Sequence, residues 1–169
     1  MVAPELLGKL LVVGSCRGRI NEVEAYGGVD DAASHAASGQ TPRNAVMFGP
    51  PGVLYVYFTY GMHHCANIVT GPVGDAQAVL LRGVEPLEGF DELRARRPKA
   101  RRDQDLANGP GKLCSAFDID LRHNALDLSK ADIGIFDDGT PPPTSLAIPR
   151  IGITKAIDLP WRWLAPPRV

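Results

Sequence analysis

RINEVEAY, residues Arg19 to Tyr26, decides how this chain folds. The apolar run LLVV (Leu10–Val13) precedes it across the turn Gly14-Ser15-Cys16-Arg17-Gly18. Two such runs joined by turn residues read as a β-hairpin. The first strand covers Leu6–Val13, with a helical lead-in at Pro4–Leu7, and the second covers Arg19–Tyr26. Side chains two apart on a strand share a face. Glu22, Glu24 and Tyr26 therefore lie on one side, and Val23 and Ala25 on the other. A carboxylate beside a phenol suggests a site, but a lone Glu on a strand face is more often simply solvated.

Outward from this hairpin, the chain alternates short strands and turns. Asp30–Ala37 (DDAASHAA) is expected as a short helix capped by Asp30 or Asp31, and Ser38–Phe48 as a loop. Gly49-Pro50-Pro51-Gly52 marks a turn. Val53–Tyr60 (VLYVYFTY), rich in β-branched and aromatic residues, is the clearest strand. Gly61 forms a tip, and Cys65–Thr70 is the return strand. Ala76–Val84 reads as a buried strand. Glu88–Arg97 has helical spacing, with Leu87, Phe90 and Leu93 inward. Asn108–Phe117 reads as a helix with Pro110 in its first turn. Strands at Asp132–Phe136 and Ala147–Ile153 follow, and Trp161–Leu164 is expected as a final edge strand. The fold class is α+β: a single domain over residues 1–169, with a mainly antiparallel curved sheet, peripheral helices and a protruding β-hairpin.

Composition narrows the function classes. With 44% hydrophobic and 22% charged residues in 169, the chain has enough apolar content for one sizeable core. Eighteen Gly and 15 Pro are spread along the chain and indicate many turns rather than disorder. No apolar run is long enough to cross a membrane, and no secretory leader is recognisable at the N-terminus. Cys16, Cys65 and Cys114, odd in number and far apart, fit free thiols in a reducing compartment. The net charge of −1 lacks the basic excess usual for nucleic-acid binders. Between Arg94 and Arg102, however, six of nine residues are basic and none is acidic. Such a tract can neutralise a few phosphates, or it can be a solvated loop.

Several motifs are excluded by their spacing. Gly109-Pro110-Gly111-Lys112 is not a P-loop, because Leu106 stands where the first Gly belongs and Leu113 replaces the hydroxyl. His63-His64-Cys65 lacks zinc-ligand spacing, so no metal site is expected. No nucleophile elbow occurs. The remaining site-type side chains lie on strands: Glu24 with Tyr26, Tyr55 with Tyr57, and Leu80 with Arg82, with His35 soon after Tyr26. Facing aromatics can sandwich a planar ring, and an Arg near a Glu can orient it. The plainer reading, tyrosines filling a β-core, is favoured by spacing alone.

The ordered segments settle the choice. LLGKLLV (6–12), RINEVEAYGGVDDAASHA (19–36), TPRNAVMFGPPGVLYVYFTYGMHHCANIV (41–69), AVLLRGVEPLEG (78–89), NGPGKLC (108–114) and PRIGITKAIDLPWRW (149–163) together resemble the alkyladenine (3-methyladenine) DNA glycosylase family. The resemblance implies a monofunctional DNA N-glycosylase of base excision repair. Such an enzyme excises alkylated or deaminated purines (3-methyladenine, 7-methylguanine, hypoxanthine, ethenoadenine) from duplex DNA. Glu24 matches the base that activates a water near Arg82 for attack on the sugar C1′. Tyr26, His35 and Tyr57 match residues that hold the flipped base, and Asn67 the position that rejects normal guanine. Tyr60, at the hairpin tip, matches the residue that wedges into the duplex. Arg43, Lys112 and Arg150, within the matching segments, are expected at the DNA backbone.

The resemblance further implies no cofactor, no metal, a monomer, and double-stranded DNA containing damaged purines as partner. The location would be the cytoplasm, with the nucleoid, in a bacterium and the nucleus in a eukaryote. A damaged-DNA-binding module without catalysis is the alternative, but it would not need both Glu24 and Arg82. Three departures from the family pattern stand out. Relatives usually carry a further N-terminal segment before LLGK, Asn21 sits where an apolar strand residue is usual, and Gly83 replaces a common Ala.

Overall fold

The computed structural model describes residues 1–166. Its centre is one long strand, Cys16–Gly27 (β2), which follows Leu10–Val13 (β1) through a tight turn. The remaining elements are Leu54–Thr59 (β3), His63–Val69 (β4), Gln77–Glu88 (β5), the helices Phe90–Arg96 (α1) and Pro110–Ala116 (α2), then Ile133–Phe136 (β6), Leu146–Ile148 (β7) and Arg162–Leu164 (β8). The strands form one curved antiparallel sheet in the order β3-β4-β5-β2-β1-β6. β5 pairs with β2 along most of its length. On the other edge, β2 pairs first with β1 and then, over Glu22–Glu24, with β8. β8 also pairs with β7, so Trp161–Leu164 does not end in the expected free edge.

A bulge in β2 controls which side chains face where. The register with β5 shifts between Ile20 and Glu22 and again between Glu22 and Val23. Before the bulge, Cys16 and Ile20 point into the main core; after it, Val23 and Ala25 do. An unbroken strand would have kept Ile20 and Glu22 on one face. The extra residue flips the parity and turns Glu22, Glu24 and Tyr26 away from the core. Asn21 is the residue left without a partner on β5, and its carbonyl instead accepts from Ala165 N at 2.8 Å. A polar residue suits that position. The second departure meets it in space: a Cβ on Gly83 would lie 2.5 Å from Asn21 Oδ1 and 3.0 Å from Glu22 Cβ. The side chain added at position 21 and the one missing at 83 are matched.

The core face of the sheet carries Leu54, Val56, Ala66, Ile68, Val79 and Leu81, in contact with Leu93 of α1 and Leu113 and Cys114 of α2. α2 packs on β4 and β5, while α1 packs on α2 and β2. The opposite face carries Tyr55, Tyr57, Cys65, Asn67, Leu80 and Arg82, so strand alternation separates core from site along β3, β4 and β5.

Four expected elements differ. Asp30–Ala37 forms no α-helix; a single 3-10 turn at Gly28–Asp30 is followed by a series of tight turns. The Asp31 carboxylate accepts from Gly27 N and Ala33 N, and Ser34 Oγ accepts from Ala36 N, so side chains take up the amides a helix would need. The strand expected over Ala147–Ile153 stops at Ile148, and the following residues cross over the sheet. Leu87 belongs to the end of β5 and is 39% exposed rather than inward on α1. At the N-terminus, a 3-10 turn at Ala3–Leu6 precedes a shorter β1.

Candidate active site

The site is a row across the sheet. Tyr55 of β3 pairs with Asn67 of β4, Asn67 with Leu80 of β5, Leu80 with Glu24 of β2, and Glu24 with Arg162 of β8. Sequence-distant residues are thereby brought into line by ladder hydrogen bonds alone. Above this row opens a cleft of about 230 Å³, lined by Tyr26, His35, Tyr55, Tyr57, Asn67 and Arg82 among others, with Tyr60 at its rim and the Ile151–Ile153 segment opposite. Its size suits a flat bicyclic ring, below the ~300–1,000 Å³ typical of sites for drug-sized ligands.

Glu24 is fully buried, behind Tyr26, Arg82 and Ile151 of the cleft lining, all three of which it contacts. Its two oxygens are treated differently. Oε1 accepts from Ile151 N at 3.0 Å. Oε2 accepts from the Tyr26 hydroxyl at 3.0 Å, with Arg82 Nη1 only at 3.5 Å. The solvated glutamate of the plainer sequence reading is excluded by this burial. Burial first, and the Glu24 charge second, push the Tyr26 phenol well above its ordinary range, so it stays a hydrogen-bond donor.

The aromatic wall is tightly coupled. The His35 and Tyr57 rings meet edge-on at 4.5 Å, and Tyr55 lies 5.4 Å from Tyr57. His35 Nδ1 is 3.1 Å from the Tyr55 hydroxyl. Burial and then the charge of Arg43 lower the His35 pKa, which favours a neutral imidazole. Burial raises the Tyr55 pKa to about 12 and pushes that of Tyr57 higher still. The loop carrying His35 is fixed by buried Asn44, whose Nδ2 donates to the carbonyls of His35 and Gly39. Asn67 is buried and donates from Nδ2 to Tyr55 O at 3.1 Å, so its amide cannot swing away from the cleft.

The tip of the β3–β4 hairpin is the opposite kind of place. Tyr60 is 83% exposed and has φ 51°, followed by Gly61 at φ 67°. Both turn residues are left-handed, as the tightest hairpin turns require, and Met62 N closes the turn on Thr59 O. Gly adopts that conformation freely; Tyr does not. Phe58 and Met62 beside it are also exposed.

Of the three cations expected at a DNA backbone, Arg43 and Lys112 are exposed. Arg43 donates to Phe58 O at the hairpin and lies over Tyr57, and Lys112 sits on α2 near Pro110 of the cleft. Arg150 is a correction. It is buried and forms an ion pair with Asp31 through both terminal nitrogens, one of which also donates to Ala25 O. Its guanidinium packs against Tyr26 at 4.8 Å and Trp161 at 5.2 Å. Both terminal nitrogens are engaged inside the fold and Nε is buried without a partner, so the guanidinium is not presented to a phosphate at the surface. Burial tends to raise the Asp31 pKa, but the bonds from Arg150 and the Gly27 and Ala33 amides outweigh that and lower it.

Sequence reasoning missed Asp31, Asn44, Ile151 and Glu22. Asn44 and Ile151 act through backbone amides and carbonyls, which leave no trace in residue type, and Asp31 through an ion pair with Arg150, 119 residues away. Glu22 stood in plain view on the right face but without a partner. Its Oε1 accepts from Arg82 Nε at 2.8 Å and from Arg162 Nε at 2.6 Å.

Comparison with known proteins converges on one family. A family model described as methylpurine-DNA glycosylase matches residues 1–168. A protein of Burkholderia lata named "Putative 3-methyladenine DNA glycosylase" is 54% identical over 169 residues, covering 98% of this chain and 82% of the relative. Relatives with the same name from Rhodopseudomonas palustris and Rhodococcus jostii are 50% and 47% identical, covering 96% and 95% of this chain and 77% and 74% of their own lengths.

Proposed function

The chain belongs to the methylpurine-DNA glycosylase family, and on that premise we propose that it excises alkylated or deaminated purines from duplex DNA by hydrolysis of the N-glycosidic bond. The observation that carries the reading is Glu24: a buried carboxylate beneath an aromatic cleft, with Oε2 only partly engaged. A base inside a duplex is out of reach, so the target nucleotide is flipped into the cleft at a cost of a few kcal/mol. Tyr60 enters the gap in the stack and holds the duplex open. Tyr26, Tyr57 and His35 receive the base, each stacked face contributing about 1–3 kcal/mol.

Glycosidic cleavage passes through an oxocarbenium-like state. Glu24 takes the proton of a water that attacks C1′, and its charge stabilises the developing cation. Arg82 orients both. Alkylation at N3 or N7 makes the base cationic, and such a base departs without acid help. A neutral lesion such as hypoxanthine depends on hydrogen bonds to the leaving base. With the Nε2–H tautomer of a neutral His35, Nδ1 accepts from the Tyr55 hydroxyl 3.1 Å away and Nε2–H is left for that task. The fixed Asn67 amide excludes guanine by meeting its exocyclic amine. The protein acts as a monomer, with no cofactor.

Glu24→Gln tests the assignment. Single-turnover excision from a duplex bearing one hypoxanthine is expected to vanish, while affinity for the same duplex is retained. Full activity in this variant would remove Glu24 from the mechanism, and duplex binding by the unaltered protein without abasic-site formation would make it a binding module.

A further inference from the structure

We propose that Glu22 is a positioning residue whose carboxylate holds Arg82 back from Glu24 and so keeps Glu24 Oε2 open to accept a proton. The inference rests on the reading of Glu24 as the base. Arg82 lies between two carboxylates, and it is not shared evenly. Its Nε donates to Glu22 at 2.8 Å, while only Nη1 approaches Glu24, at 3.5 Å. The three side chains involved are between 0 and 13% exposed, so water screens this choice little. A guanidinium beside one free carboxylate prefers a two-point pair with parallel bonds. With Nε pinned to Glu22, only the Nη1/Nη2 end is left for Glu24, and it stands off, with Nη1 at 3.5 Å.

The consequence falls on one oxygen. A carboxylate oxygen offers about two acceptor positions. On Oε1 of Glu24 the Ile151 amide takes one. On Oε2 the Tyr26 hydroxyl takes one, and Arg82 merely grazes the other. If Arg82 moved into a two-point pair, both oxygens would be filled, and a water could neither bond to the carboxylate nor pass it a proton. Glu22 prevents this, and its own second cation, Arg162, keeps it fixed, with Nε at 2.6 Å. Two arginines and two carboxylates balance in charge. When Glu24 takes its proton, Arg82 still has Glu22 as a partner, shared with Arg162.

The bulge in β2 makes the device possible. Without the register shift between Ile20 and Glu22, Glu22 would share the core face with Ile20. Glu22 therefore acts through Arg82 and touches neither base nor sugar.

Glu22→Gln tests this, since the amide keeps the shape and an acceptor oxygen but removes the charge. The expected result is single-turnover excision of 7-methylguanine slowed by about tenfold or more, with unchanged affinity for a duplex carrying an abasic-site analogue. The same substitution is expected to slow the reaction no further in an Arg82→Met background, because the residue acts only through Arg82. A crystal structure of Glu22→Gln is expected to show Arg82 with two short contacts to Glu24. Excision at the rate of the unaltered protein would overturn the proposal. So would losses that simply multiply in the double variant, a parallel loss of DNA affinity and melting temperature, or an Arg82 that stays in place. If the unaltered protein excises nothing, the reading of the function fails, and the position of Arg82 in the variant structure still decides the role of Glu22.

Discussion

Two groups of arginines in this molecule differ in almost every respect. Arg94, Arg96, Arg97, Arg101 and Arg102, with Lys99, are packed into nine consecutive residues and dominate the charge pattern of the sequence. Arg82, Arg150 and Arg162 are scattered singly among apolar residues. The structure reverses their weight. In the tract, Arg94 pairs with Asp103 and Arg102 with Asp105, both in the open, while Arg96 and Arg97 donate to the carbonyls of Ala116 and Leu106. The scattered arginines reach a buried carboxylate, directly or through Glu22. Density along a chain measures how easily charge is solvated; burial measures how much depends on it. Exposed pairs contribute little, whereas a buried charge stripped of its partner is costly.

Arg150 should therefore show the largest effect. Arg150→Met leaves Asp31 charged and enclosed, and a loss of about 3–5 kcal/mol of stability is expected, read as a fall in the urea midpoint. The pH dependence carries the sign. Asp31 has a folded-state pKa below the usual 3.8, so its contribution is complete above that value and is lost as pH falls through the lowered one. The variant should lack this acid limb in its stability profile. A Met variant as stable as the parent, with the same acid limb, would place Arg150 among the inconsequential arginines and break the contrast.

Tyr60 sharpens it from the other side, since there an exposed residue is the proposed wedge and costs stability. A bulky side chain at φ 51° is unfavourable by about 1–2 kcal/mol. Tyr60→Gly is expected to raise stability by about 1 kcal/mol, since Gly in this turn relieves the strain, while affinity for a hypoxanthine duplex falls. Calorimetric melting and a fluorescence titration read the two effects separately. Affinity equal to that of the parent would show that the strained turn serves no purpose in DNA binding.

How much of this was legible follows from the same contrast. The β3–β4 hairpin, β5 and α2 announced themselves because alternation, turn residues and a first-turn proline are local signals. The row from Tyr55 to Glu24 was half visible: each strand's face was readable, but the register that aligns them is set by pairing across the sheet. The bulge at Asn21 was hidden, because one unpaired residue in a strand resembles any other. Asp31 looked like a helix cap because Asp serves that role so often; only a partner 119 residues away makes it a buried anion. For the same reason Arg150 looked like a surface cation. Long-range pairing of charges is invisible to any window that slides along the chain.

The smallest effect expected concerns the tract itself. Replacing Arg94 and Arg102 with Gln removes both exposed ion pairs, and the melting temperature should not move, because Asp103 and Asp105 remain solvated. The informative quantity is the salt dependence of duplex binding. Each phosphate neutralised by a basic side chain contributes about 0.9 to the slope of log K against log salt. Arginines that keep their aspartates release no counterions from DNA, so the double variant should show the slope of the parent. A fall of about two in that slope would mean that both arginines abandon Asp103 and Asp105 for phosphates when DNA arrives. Arg43 gives the reference for the measurement: exposed and hydrogen-bonded to the carbonyl of Phe58, it pairs with no carboxylate among the described residues. Its replacement by Gln is expected to lower the slope where the tract does not, and equal slopes for the parent and both variants would erase the distinction between charge that is merely dense and charge that is placed.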